Sequence, residues 1–88
     1  MNNAQTHTAM KIQVKDVKVG MNVNFGAPGE VVKLENITYK NGNPAIIVTI
    51  STHYHVRRAN WGGRLVIPAG CMDKKTMKPE SYIKLIDA

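Results

Sequence analysis

The stretch that decides the fold is Asn41–Arg58, NGNPAIIVTISTHYHVRR. Asn41-Gly42 between apolar runs is a hairpin signal, because both residue types accept the positive φ that tight hairpin turns require. Pro44 then stands where a strand would begin, and there its missing N–H costs least. From there the even positions read Ile46, Val48, Ile50, Thr52, Tyr54, Val56 and Arg58, and the odd positions read Ala45, Ile47, Thr49, Ser51, His53, His55 and Arg57. One face is mostly apolar and the other turns progressively polar, the period-two mark of a half-buried strand. A run from Ala45 to Arg58 exceeds the usual strand of about 3–10 residues, so a bend or bulge is expected inside it. On this alternation Tyr54 and Val56 belong to the core, while His53, His55 and Arg57 face outward.

Working outward, the chain keeps to strand patterns. Upstream, KIQVKDVKVGM places Ile12 and Val14 on one face of an extended segment, and Met21, Val23 and Phe25 alternate with Asn22 and Asn24. Pro28-Gly29 suits the centre of a type II turn. In EVVKLENITYK, Val32 and Leu34 share one parity and Ile37 and Tyr39 the other, a slip that a β-bulge near Glu35-Asn36 would absorb. Downstream, RANWGG is turn material and RLVIP a short strand. AGCMDKKTMK reads as a connection, with a short 3₁₀ or helical turn near residues 73–81 where Pro79 suits a first helical position. Tyr82 to Ile86 closes the chain as a last strand. No window holds apolar residues at helical spacing over more than two turns. Five short strands with turn chemistry between them predict an all-β fold, a small five-stranded antiparallel barrel, since closure removes exposed edges from a domain with little core.

Two short segments carry a resemblance. VKVGMNVNFGAPGEVVKL, residues 17–34, resembles the opening of KOW-type and related SH3-like barrels, and PESYIKLID, residues 79–87, resembles the closing turn and strand of SH3 domains. The resemblance implies an SH3-like barrel, with Pro79 and Tyr82 at the positions of the SH3 motif's proline and tyrosine. The chain departs from SH3 domains in having no ALYDY-like segment and few aromatic residues, so recognition of proline-rich peptides is not expected. KOW-like barrels are similar to nucleic-acid and ribosome-associated modules, which agrees with the charge. Fold alone does not fix function.

The composition bounds the classes. With 88 residues there is room for one domain, read as residues 11–88 behind a polar, flexible tail over residues 1–10. The apolar fraction of 43% suffices for a folded core. No apolar run is long enough to span a bilayer, and MNNAQTHTAM lacks the apolar stretch of a signal peptide. The single cysteine, Cys71, makes no internal disulfide, which fits a reducing compartment. A cytoplasmic protein of bacterial or phage origin is the expectation.

The net charge is +6, and it is unevenly spread. Residues 53–78 carry Arg57, Arg58, Arg64, Lys74, Lys75 and Lys78 against Asp73 alone, whereas residues 79–88 are net negative. Such a field attracts polyanions, although a modest excess also serves solubility. Arginine forks suit phosphate oxygens, and an aromatic ring stacks on an unpaired base. His53, His55, Arg57, Arg58, Trp61, Arg64, Lys74 and Lys75 are therefore the candidate nucleic-acid contacts, with Trp61 either a stacking platform or a lid on the barrel. His53 and His55 at i, i+2 also have metal-ligand spacing, but Cys71, Asp73 or His7 would have to complete a site, and no metal or other cofactor is expected. No glycine-rich phosphate loop is present, and Cys71 beside Gly70 and Met72 reads as filler rather than nucleophile. The chain reads as a non-enzymatic nucleic-acid-binding module. The rival is a small protein–protein interaction barrel, an adaptor or host-factor binder, for which Met21, Met72 and Met77 would supply an adaptable surface.

Overall fold

The structure, a computed structural model, describes residues 10–86. The region expected to be a tail, residues 1–10, lies outside the described residues except Met10, which already belongs to a strand. Eight strands follow one another: β1 Met10–Gln13, β2 Asn22–Asn24, β3 Pro28–Thr38, β4 Pro44–Thr52, β5 His55–Arg58, β6 Arg64–Ile67, β7 Met72–Met77 and β8 Tyr82–Leu85. A single 3₁₀ turn spans Val14–Asp16. Six strands form an antiparallel sheet in the order β1-β8-β2-β3-β4-β7, and β5 pairs with β6 alone. Among the described residues, no helix is long and apolar enough to cross a membrane.

The all-β expectation holds, but the five-stranded closed barrel does not: among the described residues there are eight strands in two sheets, and β1 and β7 stand at the edges of the larger one. Two local events account for this. The long apolar run breaks after Thr52, so residues 55–67 pair with themselves instead of extending the sheet. The lysine-rich segment expected as a connection is instead β7, pairing Met72–Met77 with Ser51–Ile46. Neither a 3₁₀ nor a helical turn forms at residues 73–81. A β-turn does, closed by Ser81 N–H donating to Lys78 O at 3.0 Å, and β8 follows directly.

The core sits against β2, β3, β4 and β8. Val14, Val17, Val23, Ala27, Val31, Val48, Ile50 and Ile83 are buried, with Ile12, Met21, Phe25, Leu34, Ile46, Met77 and Leu85 packed around them. No member of the fully buried group is larger than isoleucine. Each buried valine or isoleucine contributes about 1.5–3 kcal/mol, which leaves a domain this small with little surplus. The alternation along β4 is kept for Val48, Ile50 and Thr52, all buried.

Three turn and register expectations shift. The bulge falls at Val32, between Val31 and Lys33, not near Glu35-Asn36. It lets Val31 and Leu34, opposite Ile50 and Val48, reach the same core face although three residues apart. Pro28-Gly29 is not a turn but the start of β3; the reversal is made by residues 25–27, with Gly26 N–H donating to Asn24 Oδ1 at 2.9 Å. The Asn41-Gly42 hairpin is present. Gly42 N–H donates to Tyr39 O and Tyr39 N–H to Asn43 O, and Gly42 takes φ +89°, so a tight turn is followed by a left-handed glycine.

The molecule is spread rather than round. Its radius of gyration is 14.8 Å, against about 12 Å expected for a compact domain of this length.

Candidate functional site

Two clamps fix where the ribbon departs. At the end of β4, the buried Thr52 hydroxyl donates to Pro68 O at 2.9 Å and accepts from Cys71 N–H at 3.1 Å. The backbone repeats the link, with Thr52 N–H to Cys71 O and Gly70 N–H to Thr52 O, both 2.8 Å. The returning leg after β6 is therefore tied to the point where β4 ends. On the outgoing leg, His53 N–H donates to Pro28 O at 3.0 Å, and His53 Nε2 lies 2.9 Å from Asn22 Oδ1.

His55 Nδ1 lies 2.8 Å from His53 O. A carbonyl only accepts, so Nδ1 donates, and Nε2 is buried and without a hydrogen-bond partner among the described residues. His53 and His55 thus hold the departure of the ribbon more than they face a ligand. Tyr54 and Val56, expected in the core, are exposed (65% and 44%), because the break after Thr52 takes them off the sheet.

Beyond the clamps, β5 and β6 pair as His55–Ile67, Val56–Val66, Arg57–Leu65 and Arg58–Arg64. Residues opposite each other share a face, so Val56, Arg58, Arg64 and Val66 lie on one side of the ribbon and His55, Arg57, Leu65 and Ile67 on the other. The turn repeats the construction at Gly42: Gly62 N–H donates to Ala59 O, Ala59 N–H to Gly63 O, and Gly62 takes φ +88°. At its tip Trp61 is 76% exposed, which removes the lid alternative. Its six-membered ring occupies the space in which a Cβ at Gly63 would stand.

Two shallow grooves flank this tip. One, of about 410 Å³, is lined by Arg57, Arg58, Ala59, Asn60, Trp61 and Leu65. The other, of about 450 Å³, is lined by Val56, Arg57, Arg58, Gly62, Gly63 and Arg64. No acidic residue occurs between Glu35 and Asp73 in the sequence, so the ribbon carries cations alone. Among the described residues the one ion pair is Lys33 Nζ to Glu35 Oε2 at 3.8 Å, far from the ribbon in the chain.

The eight candidate contacts therefore fall into three groups. Arg57, Arg58, Trp61 and Arg64 come together on the ribbon, and His53 and His55 stand at its base. Lys74 and Lys75 lie on β7, opposite Thr49 and Val48. Adjacent strand residues point to opposite faces, and Val48 is a core residue, so Lys75 takes the core side of the edge strand and Lys74 the outer side. The two lysines do not form one surface with each other. Among the described residues no three His, Cys, Asp or Glu side chains cluster as metal ligands, and His7 lies outside them. Cys71 is exposed and unpaired, in the loop that leads into β7.

Sequence reasoning missed Asn60 and Leu65, which line the groove beside Trp61, and Gly63, against which the indole sits. The signal was the double glycine after the tryptophan: the first supplies the left-handed turn, and the second leaves room for the indole. Comparisons with protein-family models, with curated proteins and with solved structures find no match.

Proposed function

We propose that this chain is a non-enzymatic nucleic-acid-binding module that grips its ligand with the β5–β6 ribbon. The observation that carries the reading is the gathering of Arg57, Arg58, Arg64 and Trp61 on one projecting, acid-free hairpin. Among the described residues these three guanidinium groups have no carboxylate partner, and a polyanion is attracted from either face of the ribbon, by Arg58 and Arg64 on one and by Arg57 on the other. Lys74 and Lys75 add sequence-independent attraction from the neighbouring edge strand. A cytoplasmic setting belongs to the same proposal, since the exposed thiol of Cys71 is most at home where thiols stay reduced.

The test is an anisotropy titration with labelled single-stranded DNA, duplex DNA and RNA at low salt. With three ribbon phosphate contacts, log affinity should fall with log salt at a slope of about −2 to −3. Changing Arg57 and Arg58 together to Ala should weaken binding without lowering the melting temperature, because both side chains are exposed. Absence of binding to every nucleic acid at low salt overturns the proposal.

A second reading rests on a different observation, the exposed Val56–Val66 pair on the ribbon. Apolar side chains opposite each other on an isolated hairpin suit a protein partner, and association through them would be insensitive to salt. Retention of partner binding at high salt favours this reading over the first.

A further inference from the structure

We infer that the ligand of the ribbon is a single strand, held by stacking of an unpaired base on Trp61 while Arg57, on the same side of the ribbon as Leu65 in that groove, takes an adjoining phosphate. This rests on the nucleic-acid reading and narrows it to one class of substrate. The indole is the largest exposed apolar group in the described chain, and its position is built rather than incidental. Gly63 has no left-handed backbone to explain it; what its missing Cβ provides is the volume taken by the tryptophan ring. One side of the ring is thus backed by the turn's own main chain, while 76% of the residue stays open to solvent. A ring seated in this way turns its open face to solvent, where a base can cover it.

The groove that Trp61 closes is also lined by Arg57, Arg58 and Asn60. Its volume of about 410 Å³ lies in the small-ligand range of about 300–1,000 Å³, room enough for a base beside the indole. An aromatic face beside arginines is the arrangement by which single strands are held without sequence preference, since every base offers a π-face. A duplex would use the same residues poorly. Its bases are already stacked, so a ribbon entering the major groove would press the indole against base edges and leave its open face unmatched.

The chain has one tryptophan, so its own fluorescence reports the contact directly. The experiment titrates the full chain with oligo(dT), a duplex of equal length and an abasic single strand, reading anisotropy and tryptophan emission together. Oligo(dT) should bind at least tenfold tighter than the duplex and quench the emission, and the abasic strand should bind weakly without quenching. Trp61→Ala should lower oligo(dT) affinity about five- to a hundredfold while leaving the salt slope unchanged. Duplex affinity equal to or above that of oligo(dT), or binding of oligo(dT) without quenching, overturns the single-strand assignment and leaves the nucleic-acid reading standing. No binding of any of the three overturns both.

Discussion

Arg58 and Arg64 stand directly opposite each other across the β5–β6 ladder. Like charges in that relationship repel, and an isolated two-stranded ribbon has little stability with which to absorb the repulsion. Arg64→Glu replaces the repulsion with an attractive cross-strand pair. The variant should match or exceed the parent in melting temperature at low salt, by a few tenths to about 1 kcal/mol. Its affinity for nucleic acid should fall at least tenfold. A variant that loses both stability and binding would mean that Arg64 is structural, and the opposed guanidinium groups would need another explanation.

Two glycines with no left-handed backbone separate packing from ligand positioning. A Cβ at Gly29 would meet Ser51 O at 2.6 Å and Ile50 Cδ1 at 2.9 Å, so main chain and core both stand in its way. At Gly63 the obstacle is the tip of an exposed tryptophan, which swings aside. Gly29→Ala should cost about 1–3 kcal/mol, a drop of very roughly 5–20 °C in a domain of this size. Gly63→Ala should leave the melting temperature within a few degrees while altering the emission of Trp61. Thermal melts monitored by far-UV circular dichroism, with tryptophan spectra, check both; equal losses at the two sites would refute the contrast.

What was legible in the sequence, and what was not, follows from the reach of each signal. Alternation from Ile46 to Thr52 is a local property, and it identified the core face of β4 correctly. Nothing in the alternation itself marks where a strand leaves its sheet. Tyr54 and Val56 keep the parity of Ile50 yet lie outside the core, because the departure is set by hydrogen bonds from Thr52 to residues 68–71, far along the chain. Lys74 and Lys75 failed to read as strand for a related reason. An edge strand carrying charge on both faces has no apolar rhythm, and only its pairing with β4 defines it. The ribbon residues were legible as a group because Arg57, Arg58, Trp61 and Arg64 are close in sequence and a hairpin keeps them close in space.

The Thr52 clamp makes its own prediction. Thr52→Val keeps the shape but removes the hydroxyl from Pro68 O and Cys71 N–H, leaving both without that partner. A loss of about 1–3 kcal/mol is expected in urea unfolding, with faster hydrogen exchange at the Cys71 amide. Thr52→Ser, which retains the hydroxyl, should lose less and keep that amide protected. A loss in Thr52→Ser with none in Thr52→Val would assign the effect to the methyl group and not to the clamp.

Lys75 has a role that its neighbour lacks. β7 is an edge of the sheet, and Lys75 stands opposite Val48 on the core side of that edge. An inward-pointing charge on an edge strand deters another chain from adding to it, since pairing would bury the ammonium. Lys75→Val should therefore leave the monomer as stable as the parent, or slightly more so, through added apolar contact. It should also raise the rate of aggregation on prolonged warming, read by light scattering. Lys74→Val, on the outer side opposite Thr49, should do so much less. Because Lys75 lies on β7 and not on the ribbon, Lys75→Val should reduce nucleic-acid affinity only severalfold, against the larger loss expected on the ribbon itself. Loss of binding in Lys75→Val as deep as in the Arg57, Arg58 double variant would move the binding surface to β7.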